Sequence, residues 1–228
     1  MSQPFAKDAG TKNVKKGYRF LLSLNEEQKL AKANILESSV AVINGKAGSG
    51  KTLLACQIAL SKLLRKEVKQ IVITRPTVSK EDLGFLPGGV NEKMDPWIAP
   101  IYSNMYQLLR RERVDQLINN KQIEIVPVSY MRGRTFLNSC IIVDECQNLD
   151  HNQTKMILQR IGLDSLMMFC GDTDQIDLKK GTDTGLKFLG NMASKVTGLC
   201  NIELLNNHRH PILDDILKFY DEAWYLYS

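Results

Sequence analysis

Short, unbroken apolar runs alternate with stretches of helical periodicity along most of this chain. The runs Val40–Asn44, Gln70–Thr74, Ile123–Val128, Cys140–Asp144, Leu166–Cys170 and Ile202–Leu205 read as strands. Several show no polar alternation, which is what parallel strands covered on both faces require. Between them, Leu53 to Leu64 carries a helical period. Asp150, with Gln153 three residues on, forms a capping box that predicts a helix through about Ile161. Another helix is expected after His210-Pro211, where proline suits a first turn. The pattern predicts an α/β fold: a three-layer, mostly parallel sheet that binds anions at the carboxyl ends of its strands.

The stretch from Val78 to about Asn120 interrupts this alternation. It holds the Gly/Pro-rich loop Leu83-Gly84-Phe85-Leu86-Pro87-Gly88-Gly89 and then a predicted helix from Pro96 to Ile118. The expected organisation is a flexible segment over 1–20 and a single domain over 21–228 with a helical and loop insertion at about 78–120. At 228 residues, 43% apolar and 24% charged, the chain can bury a sizeable core. No stretch approaches the roughly 20 apolar residues of a membrane span, and Met1–Lys16 has no apolar segment of the secretory kind. Five cysteines without a C-x-x-C pair, most of them in apolar runs, read as reduced core residues of a cytoplasmic protein. The three histidines have no zinc-like spacing with them. A net charge of +5 permits a polyanionic partner without demanding one.

The chemistry starts at Gly45-Lys46-Ala47-Gly48-Ser49-Gly50-Lys51-Thr52, which fits the phosphate-binding pattern G-x-x-x-x-G-K-[ST] and is followed by Leu53. It sits between an expected strand and an expected helix. There, small residues let backbone N–H groups curl around a phosphate chain, and the helix dipole favours the anion. Lys51 would reach the β/γ-phosphates and the Thr52 hydroxyl would hold Mg²⁺. About ninety residues on, the run Cys140-Ile141-Ile142-Val143 delivers Asp144 and Glu145 at a strand tip. Asp144 suits the metal, and Glu145 suits the orientation and deprotonation of an attacking water. Gln175, in Gly171-Asp172-Thr173-Asp174-Gln175, reads equally as a γ-phosphate contact or part of a plain turn. Gln28 can pair with an adenine edge, yet Asn25-x-x-Gln28 is also a capping box, which the residues alone favour. Asn120-Lys121-Gln122-Ile123 fails the guanine-specific N-K-x-D, so ATP is the expected nucleotide. Arg209 reads as a surface arginine or as a finger on transition-state charge.

Together these residues resemble the PhoH family of P-loop ATPases, which is related to superfamily-one helicases. The resemblance runs from about Leu24 to Tyr220. It rests on LNEEQ, GKAGSGKT, Thr74-Arg75-Pro76, LGFLPG, Asp95-Pro96, Met131-Arg132-Gly133-Arg134-Thr135, Asp144-Glu145-Cys146-Gln147-Asn148, Gly171-Asp172 with Gln175-Ile176-Asp177-Leu178, and Arg209-His210-Pro211. It implies one RecA-like domain, Mg²⁺ and ATP as cofactors, adenine contact by Gln28, phosphate sensing by Gln175 and a finger role for Arg209. It also implies a helicase-like role; the expected activity is a motor on single-stranded nucleic acid, RNA favoured over DNA, with Arg75, Arg132, Arg134 and Lys80 as candidate phosphate contacts and Tyr130 and Phe85 as candidates to stack on bases. A single RecA-like domain lacks the second wall of the ATP cleft, so the expected assembly is a homo-oligomeric ring, a hexamer, with Arg209 reaching a neighbour's γ-phosphate. Cys146 departs from the alanine of many members. No fused nuclease domain is expected, as in the short stand-alone type often found in bacteriophages. The competing expectation is an interaction protein whose nucleotide state switches assembly without strand movement.

Overall fold

The computed structural model describes residues 19–76, 90–173, 175, 184–213, 215–216 and 218–220, with the backbone alone over 90–98. The LGFLPGG loop, Lys80, Phe85, residues 1–18 and Ile176-Asp177-Leu178 lie outside the described residues. In chain order the elements are α1 (Glu26–Leu36), β1 (Val40–Gly45), α2 (Lys51–Leu64), β2 (Gln70–Thr74), α3 (Val90–Leu108), α4 (Arg111–Asn119), β3 (Ile123–Ile125), β4 (Ser139–Val143), α5 (His151–Leu158), β5 (Leu166–Gly171), α6 (Gly185–Met192) and β6 (Leu199–Leu204).

Six strands form one sheet in the order β3-β2-β4-β5-β1-β6, and every neighbouring pair is parallel. The unbroken apolar runs have their expected cause, because both faces are covered. Ala41, Ile43, Ile71, Ile73, Ile142 and Met168 point into a core shared with α1 to α4. The alternate residues Val42, Val72, Ile141, Val143, Met167 and Phe169 meet Ile157 of α5 and Leu186 and Leu189 of α6. A RecA-like P-loop NTPase core results, with all six strands delivering their carboxyl ends to one edge.

Several boundaries differ from expectation. The single helix expected over Pro96–Ile118 is two helices, the first beginning at Val90. Arg110 is extended (φ −56°, ψ 141°) and its carbonyl accepts the Arg113 and Val114 N–H groups, starting α4 anew. That turn lets Leu108 and Leu109 share one core with Val114 and Leu117. β3 stops at Ile125 because Pro127 has no N–H for the ladder; Val126 makes the last bond, to the Ile73 carbonyl at 2.8 Å. α5 ends at Leu158, since Ile161 pairs with Phe136 in an isolated bridge. β6 begins at Leu199, three residues early, because it follows β1 for its whole length. Beyond Pro211, helical backbone covers residues 212–213, 215–216 and 218–220.

Candidate active site

The loop after β1 turns on glycines. Gly48 (φ +91°) and Gly50 (φ +84°) are left-handed, and Gly50 is the residue from which α2 starts. Lys51 Nζ donates to the Gly45 carbonyl at 2.5 Å and the Lys46 carbonyl at 3.0 Å, so the ammonium lies inside the curl of the loop. The Ser49 hydroxyl is buried and has no hydrogen-bond partner. An orphaned hydroxyl and a cationic head inside a glycine-built turn at a helix N-terminus fit a phosphate chain. Thr52, in the first turn of α2, is half-buried, and Leu53 packs against the core.

Opposite, β4 delivers its acids. Thr52 Oγ1 donates to Asp144 Oδ1 at 2.7 Å, bringing the two expected metal ligands into contact. Two hard oxygen donors side by side fit Mg²⁺. Asp144 is 4% exposed, and burial pushes its carboxyl pKa up. The Thr52 hydrogen bond opposes that shift, the neighbouring Glu145 charge adds to it, and Arg75 and Lys51 pull it back. Glu145 has left-handed backbone (φ 51°, ψ 37°), a strain of about 1–3 kcal/mol in a non-glycine residue. The 3₁₀ turn Cys146–Asn148 that follows holds it there.

Both oxygens of Glu145 are engaged. Arg75 Nη2 donates to Oε1 at 3.4 Å, and Gln147 Nε2 donates to Oε2 at 2.7 Å. Gln147 is itself buried and accepts the Asp172 N–H at 3.2 Å, tying the tip of β4 to that of β5. Asn44 ties β5 to β1 in turn: its Oδ1 accepts the Thr173 N–H at 3.3 Å and its Nδ2 donates to Thr173 Oγ1 at 3.4 Å. Gln147, Asn44 and the bond from Arg75 were not anticipated. Gln147 stood inside the motif already quoted, two residues past Glu145, and that spacing was its only signal. Gln175 is exposed on the same turn, its N–H donating to the Asp172 carbonyl at 3.2 Å.

Gln28 keeps the capping box, accepting the Asn25 N–H at 3.3 Å, and its Nε2 edge still lies against the loop. A Cβ on Gly50 would stand 2.6 Å from that nitrogen. The cap and a contact at the loop are therefore compatible. Arg209 sits in a strap, residues 205–209, that crosses the loop of its own chain. The His208 N–H donates to the Gly48 carbonyl at 3.0 Å, and a Cβ on Gly48 would lie 2.7 Å from Arg209 Cγ. Glu27 fastens the strap by accepting the Leu205 N–H at 2.7 Å and Asn206 Nδ2 at 2.8 Å.

The three arginines expected at a nucleic acid are not equivalent. Arg75 lies at the acid pair. Arg134 forms a bidentate pair with Glu124 at 2.9 and 2.8 Å and covers the Phe136 ring, so it is committed within the fold. Its guanidinium pKa is raised, first by that hydrogen bond. Arg132 is exposed beside Tyr130. Cys56, Cys140, Cys146 and Cys170 are buried free thiols, with burial raising each pKa, that of Cys140 to about 12. Among the described residues, no helix is long and apolar enough to cross a membrane.

The chain matches the family described as PhoH-like protein over residues 21–221. It is 41% identical over 181 residues to the PhoH-like protein of Bacillus subtilis (strain 168), covering 78% of this chain and 57% of that one. The PhoH-like protein of Synechocystis sp. is 38% identical over 192 residues, 83% of this chain and 58% of its own. Protein PhoH of Escherichia coli (strain K12) is 37% identical over 169 residues, 73% and 48% of the two chains. The chain thus spans about half the length of the curated relatives it matches. These relatives are bacterial, and the bacteriophage association is not borne out. Among solved structures, the Pif1 helicase of Candida albicans aligns with a TM-score of 0.45 and 14% identity over 87% of this chain and 44% of that one. Because the family match takes in the whole candidate site from Gln28 to Arg209, this chain belongs to the PhoH-like proteins.

Proposed function

We propose that the chain is a Mg²⁺-dependent ATP hydrolase whose turnover is stimulated by single-stranded nucleic acid, RNA over DNA, and which works as an oligomeric ring. The observation that carries the reading is the 2.7 Å contact between Thr52 and Asp144, with Glu145 next in the chain and Lys51 one residue before Thr52. Thr52 and Asp144 would hold Mg²⁺, which when bound would supply positive charge against that developing on the phosphates. The loop N–H groups and Lys51 bind the phosphate chain, and Gln28 takes the adenine edge. Glu145 orients the water and accepts its proton. Gln175 senses the γ-phosphate, and Arg209 stabilises the transferred charge. With Arg134 bound to Glu124, the strand surface narrows to Arg132 and Tyr130, with Arg75 beside the reacting centre.

The test is ATP turnover with and without single-stranded RNA and DNA, beside Lys51→Ala and Glu145→Gln. Stimulation by one polymer, absent in both variants and falling steeply with salt, is expected. A second reading, an ATP-gated assembly switch, draws on the strap. It ties the phosphate loop to a C-terminal segment that exposes Ile212, Ile216, Phe219 and Tyr220. Slow turnover indifferent to both polymers would select that reading.

A further inference from the structure

Gln147 is 1% exposed, and burying an amide costs stability unless its polar atoms are bonded. Both ends of this one are. Nε2 donates to Glu145 Oε2 at 2.7 Å, and Oε1 accepts the Asp172 N–H at 3.2 Å. A carboxylate can only accept and a backbone N–H can only donate, so the amide satisfies both in one orientation alone. An apolar side chain of the same volume would fill the space and make neither bond.

The surroundings hold the amide where it is. The 3₁₀ turn Cys146–Asn148 brings the side chain back to a residue two positions earlier in the chain. On β5, a Cβ on Gly171 would stand 2.9 Å from Gln147 Oε1 and 2.9 Å from Cys146 Sγ, so the amide lies directly against the strand backbone. Asp172 then opens the turn that carries Gln175, whose N–H donates to the Asp172 carbonyl at 3.2 Å. Glu145, by contrast, is 39% exposed on a long side chain with several rotatable bonds. A 2.7 Å bond from a fixed donor sets where its carboxylate stands, and it leaves lone pairs on both oxygens for a water.

We propose that Gln147 is a positioning residue for Glu145, holding the carboxylate of the general base at the tip of β4 in register with the β5 turn that carries Gln175. It acts through Glu145 and not on the nucleotide. The inference rests on the ATPase reading of Glu145. A protein altered here should bind nucleotide as before and turn it over slowly, since a misplacement of about 1 Å can cost on the order of 100-fold in rate.

The experiment measures ATP turnover, with and without poly(U), for the unaltered protein, Gln147→Met, Gln147→Glu and Glu145→Gln. Affinity for a fluorescent ATP analogue and the unfolding midpoint are measured alongside. Gln147→Met keeps the volume and loses both bonds; its kcat is expected to fall about ten-fold or more with analogue affinity unchanged. Gln147→Glu keeps an acceptor for the Asp172 N–H at every pH, but donates to Glu145 only while the new carboxyl is protonated. Its turnover relative to the unaltered protein is therefore expected to fall away by about pH 9, where that proton is lost. If Gln147 merely tied β4 to β5, the retained acceptor would suffice, and Gln147→Glu would match the unaltered protein at that pH. That result overturns the proposal, as does an unchanged kcat in folded Gln147→Met, or a loss of analogue affinity as large as the loss of rate. If either variant does not fold, the other decides on its own criterion. Absent turnover in the unaltered protein, or undiminished turnover in Glu145→Gln, overturns the ATPase reading and this inference with it. A slow Glu145→Gln beside a fast Gln147→Met sinks the inference alone.

Discussion

At the scale of single residues, the site is built from groups that fit their chemistry better than they fit the fold. Asp144 is a nearly buried acid whose carboxyl is pushed up by desolvation, with the Thr52 hydroxyl as a compensating donor. A buried charge costs stability unless fully paired. In the nucleotide-free protein, Asp144→Asn keeps an acceptor for Thr52 and removes the desolvated charge. It is expected to raise the unfolding midpoint by roughly 2–4 °C, the equivalent of about 1 kcal/mol for a chain of this size, while abolishing Mg²⁺-dependent turnover. Thermal unfolding in a chelator reads this directly. A lowered midpoint would mean that Lys51, Arg75 and Thr52 outweigh the burial. Lys51, Thr52, Asp144 and Glu145 were legible because their spacing in sequence carries the geometry: a loop between strand and helix, and a strand that ends in two acids. Arg75 and Gln147 were less legible. What gives them a role is the register of β2 against β4 and of β4 against β5, and neither register is written in the residues themselves.

At the scale of elements, the strap over residues 205–209 has no apolar anchor and is exposed along its length, yet it lies in contact with the phosphate loop. Hydrogen bonds to Glu27 of α1 and to the Gly48 carbonyl keep it there. Glu27→Ala is expected to release it. Amide hydrogen exchange at Leu205 and Asn206 should quicken, and kcat should fall several-fold with nucleotide affinity little changed, because Arg209 loses its position while Gln28 and the loop remain. Unaltered exchange in the variant would show that β6 and the His208 bond suffice to seat the strap. The strap escaped sequence reading because its bonds, from main-chain N–H groups and the Asn206 side chain, reach a carboxylate 178 to 179 positions away. Strands were legible wherever both faces are covered, as in β2, β4 and β5. β6 is the edge, where Asn201 and Glu203 are exposed and interrupt the apolar run, so its first half was missed. The break between α3 and α4 was hidden for the opposite reason: the helical period continues past Arg110, and only the shared core demands a turn there.

At the scale of the whole molecule, a single RecA-like core offers one wall of a nucleotide cleft, and the proposed ring would supply the other from a neighbour. The expectation that Arg209 is what the neighbour contributes meets a geometric objection. Its side chain is in contact range of Gly48 of its own chain, on a strap fastened to its own α1. To reach another subunit's γ-phosphate its side chain would have to leave Gly48. Large apolar side chains are exposed nearby: Leu205 in the strap and Ile212, Ile216, Phe219 and Tyr220 beyond it are all about half exposed or more. The arginine is therefore expected to act in cis, and the C-terminal helical segment to supply the contact between copies. Mixing Arg209→Ala protein with Lys51→Ala protein separates the two arrangements, since each partner then carries the half that the other lacks. In cis, no active site in the mixture is complete, and turnover stays at the level of the separate variants even when fluorescent labels show that subunits exchange. Recovered turnover in exchanging mixtures would require an intact Arg209 to serve an intact Lys51 across the interface, and the strap would then have to swing away from Gly48 on assembly.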